Sequence, residues 1–166
     1  MRGLILSMGL GLVLFLGDAP DAHADARGFT FPSAQIRVDV PDGWGWNTGN
    51  DGAVTFFDAS KEFLLIAQTM DGANMTAAVA AVHVILKLLL DRYDCEDASA
   101  SAHRGMATLT IECVGRKDGQ RLHVTTRVFD SPQRYFLELV LGSDDVTPDQ
   151  RDAIRSFMRS TRPMSN

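Results

Sequence analysis

The period of hydrophobic and polar positions changes several times along the chain, and each change marks an element. From Asn74 to Tyr93 (NMTAAVAAVHVILKLLLDRY) the polar residues Thr76, His83, Lys87 and Asp91 fall on one narrow stripe, with Ala80 between them. That is the i, i+3, i+4 spacing of a helix face. Met75, Val79, Val82, Ile85, Leu86, Leu89 and Leu90 lie on the far side, and Val84 and Leu88 widen the apolar arc. A helix this apolar requires a sheet or partner to cover it. Asn74 or Thr76 is placed to cap its first turn, and Lys87 and Asp91 are spaced for an i, i+4 pair.

Elsewhere the period is two. Ile36, Val38 and Val40 alternate with Arg37 and Asp39, a half-buried strand that ends in the turn Pro41-Asp42-Gly43. Gly28 to Pro32 reads as a short edge strand or lead-in, and 53–58 and 63–69 as two further strands. Residues 106–115 and 121–129 form a hairpin around Asp118-Gly119, a strong two-residue turn signal. This turn sets Cys113 opposite Val124, Ile111 opposite Thr126 and Leu109 opposite Val128. One face then collects Leu109, Ile111, Cys113, Leu122, Val124 and Val128. The other collects Thr110, Glu112, His123, Thr125 and Arg127. The turn at Pro132-Gln133 adds a third strand, with Leu137 facing Val128, Leu139 facing Thr126, Leu141 facing Val124, Phe136 facing Phe129 and Glu138 facing Arg127. Thr147-Pro148-Asp149-Gln150 opens a last helix with a capping box, and Ala153, Ile154, Phe157 and Met158 form its apolar stripe.

The expected fold is therefore α+β: an antiparallel sheet of six to seven strands, the long helix on one face and the C-terminal helix on the other, an α/β/α sandwich. The strand into Pro-Asp-Gly-Trp (Ile36 to Trp44), the long helix after a strand cluster, the meander, and the last helix around Ile154 and Phe157 resemble the PsbP-like family, the extrinsic photosystem proteins and their relatives. The resemblance spans nearly the whole chain beyond residue 24. It implies a non-enzymatic binding or assembly role, and no functional motif of that family maps onto these residues.

The N-terminus differs in kind. Arg2 precedes an apolar, uncharged run from Gly3 to Gly17, and Ala22-His23-Ala24 supplies small residues before a cut. This is the pattern of a secretory signal peptide, residues 1–24, cleaved after Ala24. The run is short for a membrane anchor, and no Cys near the cut offers a lipid attachment site. Residues 25–163 are expected to form one domain, with 164–166 a polar tail. The 166-residue chain carries a net charge of −5. Removal of Arg2, Asp18 and Asp21 leaves 15 basic and 19 acidic residues, net −4. An acidic surface argues against nucleic acid and anionic lipid as partners. His83 and Lys87 interrupt the long helix as a membrane span. A secreted or periplasmic location is expected, with another envelope protein as partner and no cofactor.

Cys95 and Cys113 are the two cysteines, and in an oxidising compartment an even count reads as one disulfide. It would tie the end of the long helix to the sheet. Other candidate chemistry is sparse. Asn47, Asn50 and Asp51 in NTGNDG lack the carboxylates and closing Glu of a calcium loop and are expected to form a turn. His123 and Glu112 are diagonal neighbours near Thr125, the pair a small envelope hydrolase would use. Arg127 is placed to join Glu112 and Glu138, so a surface ion-pair ladder is the expected arrangement. A pocket between the long helix and the sheet would instead indicate a carrier of an apolar ligand. Trp44 is expected to plug the core and Trp46 to cap an edge; an exposed Trp46 would offer a stacking surface. Val84 and Leu88 are expected to be covered by the N-terminal segment, since monomers rarely expose such patches; uncovered, they would be a partner surface. Asn74-Met75-Thr76 is a glycosylation sequon, meaningful only in a eukaryotic secretory source.

Overall fold

The structure, a computed structural model, describes residues 28–72 and 74–164; the signal-peptide expectation for residues 1–24 lies outside them. In chain order the elements are β1 (Gly28–Phe31), β2 (Ile36–Asp39), β3 (Gly45–Thr48), β4 (Val54–Phe57), β5 (Phe63–Met70), α1 (Met75–Leu89), β6 (Arg92–Cys95), β7 (Ser99–His103), β8 (Met106–Lys117), β9 (Gln120–Asp130), β10 (Tyr135–Ser143), α2 (Pro148–Ser160) and β11 (Arg162–Pro163). They build an antiparallel α+β fold with two sheets rather than one. The larger has eight strands in the order β3-β4-β5-β10-β9-β8-β6, with β7 also paired to β8. The smaller has the order β1-β2-β11.

The meander has the register set by its turn. Asp118 and Gly119 sit at φ of 50° and 81°, the left-handed pair that a tight hairpin requires. Cys113 faces Val124, Ile111 faces Thr126 and Leu109 faces Val128. Leu137, Leu139 and Leu141 then face Val128, Thr126 and Val124.

Alternation along these strands feeds two separate cores. Ile111, Cys113, Leu122, Val124, Val128, Leu137, Leu139 and Leu141 pack with Ala78, Val82, Leu86 and Leu90 from α1 and its end. Phe129, Phe136 and Val140 instead join Ile36, Val38, Phe56, Ile154 and Phe157. Phe157 lies 4.9 Å from Phe56 between ring centroids, and Trp44 stacks on Phe157 at 5.9 Å. Val82 and Leu86 are fully buried, so the space between α1 and the sheet is filled with side chains.

Three expectations about elements are corrected. The helix ends at Leu89, not Tyr93: Leu90 is extended, and its N–H still reaches the Leu86 carbonyl. The chain then runs as β6 and β7, because the outer edge of β8 offers backbone groups that need partners. Gly115 permits this close approach; a Cβ there would lie 2.6 Å from Leu90 Cδ1. Finally, Asn47 and Thr48, expected to belong to the turn at NTGNDG, join Gly45 and Trp46 in edge strand β3 against β4.

Both helix starts follow their sequence signals. Asn74 Oδ1 accepts the Ala77 N–H at 2.9 Å. Thr147 and Gln150 exchange side-chain and backbone hydrogen bonds as a capping box. Among the described residues no helix is long and apolar enough to cross a membrane.

Candidate functional site

Cys95 and Cys113 face each other across β6 and β8 and are joined, with an S–S distance of 2.07 Å. The bridge closes on the strand immediately after α1, so it anchors the helix end to the sheet.

A shallow open depression of about 430 Å³ lies beside it, lined by Asp94, Cys95, Glu96, Glu112, Cys113, Val114 and His123. Its groups do not assemble into an acid–base centre. His123 Nε2 is 2.7 Å from Asp144 Oδ1, and both side chains are more than half exposed. Glu112 accepts from Thr125 Oγ1 at 2.7 Å instead of meeting His123. The hydrolase pairing of His123 with Glu112 is therefore corrected: the Asp144 loop captures the imidazole.

The expected surface ladder through Arg127 is also corrected. Glu138 has no exposed side-chain surface, and Arg127 is only 13% exposed. Arg127 Nε donates to Glu138 Oε2 at 3.1 Å, and its Nη2 donates to the same carboxylate and to the Met158 carbonyl near the end of α2. Thr161 Oγ1 donates to Glu138 Oε1. His103 Nε2 lies 2.9 Å from the Thr161 carbonyl, a geometry that calls for the Nε2–H tautomer. The guanidinium also lies 4.9 Å from the Phe129 ring centre. Burial pushes the Glu138 carboxyl above its ordinary value, against the pull of Arg127 and Thr161. Burial likewise pushes the His103 imidazole down. These groups lock the C-terminal turn of α2 onto the sheet, which is a structural task. The cross-strand match of Arg127 and Glu138 was legible in the sequence; that it would be buried was not, because the covering comes from residues 158–161.

Beside this knot Arg162 clasps Asp39 through both oxygens, at 2.7 and 2.8 Å. The Arg162 hydrogen bonds hold the Asp39 carboxyl below its usual value of 3.8. A lowered carboxyl stabilises the fold above its unfolded pKa, and the contribution fades as pH falls through the folded one. Asp39→Asn is therefore expected to flatten the acid limb of a melting-temperature profile below about pH 4 while shifting the neutral plateau little, the pair being partly exposed. An unchanged acid limb would refute this role.

The remaining candidates separate clearly. Asp51 Oδ1 accepts the Ala53 N–H at 3.1 Å, within the turn at residues 50–52 that follows β3. Lys87 does not pair with Asp91; Asp91 lies past the helix and accepts from Lys117 and from the Asp118 N–H, at 3.2 and 2.8 Å. His83 stacks on Tyr93 at 6.0 Å between ring centroids. Trp44 is half-buried among aromatic rings, whereas Trp46 is 42% exposed on β3 and touches Phe29 edge-on. Val84 and Leu88 are 59% and 64% exposed, so among the described residues the expected covering of this helix face is not found. One helical turn apart, they make an outward apolar patch on α1.

No protein-family model matches the chain, and no curated protein sequence matches it. Solved structures do. The cyanobacterial PsbP protein CyanoP from Synechocystis sp. PCC 6803, known from a solution structure, superposes with a TM-score of 0.63 at 12% identity, over 89% of this chain and 98% of that one. The crystal structure of LpqN, involved in cell envelope biogenesis of Mycobacterium tuberculosis, superposes with a TM-score of 0.52 at 19% identity, over 76% of this chain and 81% of that one. With its antiparallel sheets, buried α1 face and closing α2, the chain has the PsbP-like fold.

Proposed function

We propose that this chain is an exported, non-enzymatic binding or assembly domain of the cell envelope that docks another envelope protein. The observation that carries this reading is the outward patch of Val84 and Leu88 on α1, exposed on a helix whose opposite face is fully packed. Exposed apolar side chains at i and i+4 on a rigid helix suit a protein partner better than a small polar substrate. Trp46 at the far sheet edge is a second exposed anchor. The disulfide supports export, because such bridges persist in oxidising compartments. The envelope role of LpqN, which has a similar fold, is compatible with the same setting. The separation of His123 from Glu112 and the filled helix–sheet core weigh against the hydrolase and apolar-carrier alternatives.

Affinity capture from an envelope extract, with crosslinking and identification by mass spectrometry, tests this. Wild-type protein is expected to retain one dominant envelope protein, and Leu88→Asp to lower its recovery at least tenfold while leaving circular dichroism unchanged. Trp46→Ala measures whether the edge tryptophan contributes. Equal recovery with wild type and Leu88→Asp, or nothing above background with either, would defeat the proposal.

A further inference from the structure

β7 borders the large sheet: β8 takes its inner edge, and no described strand takes its outer one. Arg104 and Gly105, at φ of 49° and 83°, make the two-residue turn between them. Such a turn makes the flanking pair His103–Met106 a hydrogen-bonded one. Antiparallel alternation then aims the backbone of Ser101 and Ser99 at β8 and that of Ala100 and Ala102 outward. Open edges of this kind invite pairing with another chain and are normally guarded by Lys, Pro or a bulge. Ser99, Ala100, Ser101 and Ala102 carry none of these guards and all four are exposed, the one-residue bulge at 96–98 lying just before them.

The flanks add a direction. Glu96 and Asp97 precede the strand and are exposed, with no ion pair among the described residues. Arg104 follows it, exposed, and donates to a backbone carbonyl, Arg159 O at 3.3 Å, rather than to a carboxylate. An edge acidic at one end and basic at the other is complementary to itself when turned antiparallel.

We propose that β7 pairs with β7 of a second copy across a twofold axis, joining two large sheets edge to edge. Centring the pair on Ala100 sets Ala102 opposite Ala98 of the second copy and brings the acidic Glu96–Asp97 end of each strand to the Arg104 end of the other. This end-to-end charge match occurs twice by symmetry. Centring on Ala102 leaves the charged flanks unmatched, so electrostatics selects the first register.

Sedimentation of the purified protein over a concentration series tests this, with circular dichroism confirming that each variant folds. Wild type is expected to show a monomer–dimer equilibrium. Glu96→Arg and Arg104→Glu are each expected to weaken self-association by about tenfold, since like charges then face each other. An equimolar mixture of the two variants is expected to recover dimerisation, because both contacts in the mixed dimer are again opposite in sign. Ala100→Pro removes an outward N–H while sparing the ladder to β8 and is expected to abolish the dimer. A protein that stays monomeric, oligomers larger than a dimer, a mixture no tighter than its components, or a dimer that survives Ala100→Pro would each overturn the proposal.

Discussion

Arg127→Met is expected to destabilise the protein by about 3–5 kcal/mol at neutral pH, because it leaves a fully buried carboxylate without its counter-charge. Thr161 alone remains to stabilise Glu138, and the Met158 carbonyl at the end of α2 loses its donor. Burial already raises the Glu138 carboxyl in the intact protein, and loss of Arg127 raises it further. The sign of the pH dependence follows. A raised folded-state carboxyl favours the fold below its unfolded pKa, and that contribution is lost as pH rises through the folded value. The variant should therefore recover part of its deficit on acidification, whereas the wild type, with Arg127 in place, should change less. Arg127→Met combined with Glu138→Leu should restore most of the stability, since an apolar pair of similar volume needs no desolvation of charge. Urea unfolding at two pH values measures all of this. A single variant within 1 kcal/mol of wild type would show, on the scale expected for a buried pair, that the two charges are not coupled in the fold.

Removal of the disulfide is the second large effect. Cys95 and Cys113 are separated by 18 residues in sequence, and replacing both with Ser is expected to cost about 3 kcal/mol on the chain-entropy account. The loss should be local as well as global. β6 holds to the sheet through β8 alone, so its amides should lose hydrogen-exchange protection before those of β9 and β10. Non-reducing mass spectrometry of the native protein should show no free thiol. Equal urea midpoints with and without reductant would contradict the stabilising role, and two free thiols would contradict the bridge itself.

The two effects sit at opposite ends of the same lesson about legibility. The disulfide pairing and the meander register could be read from residue order because each rests on local rules: two cysteines, and a Asp118-Gly119 turn that forces the pairing beyond it. The Arg127–Glu138 match was equally local, but its burial depended on residues 158–161 arriving from the end of the chain. His103 and Thr161 carry no pattern of their own, so nothing in their neighbourhoods announced the buried knot. β6 and β7 were hidden for a related reason. Tyr93 and Cys95 lie among charged residues, and Ser99 to Ala102 have no hydrophobic alternation, so they are strands only because β8 needs an edge partner.

Residue order by itself determined the α+β class, the two helix starts, the strand register of the meander and the identity of the apolar face under α1, since periodicity, caps and tight turns act within a few residues. Tertiary structure alone decided that there are two sheets, that His123 meets Asp144 rather than Glu112, that Glu138 is buried, and that no described residue covers Val84, Leu88 or the edge of β7. Burial and pairing at those places depend on which distant segments come to lie across them, and that is a property of the whole packed chain.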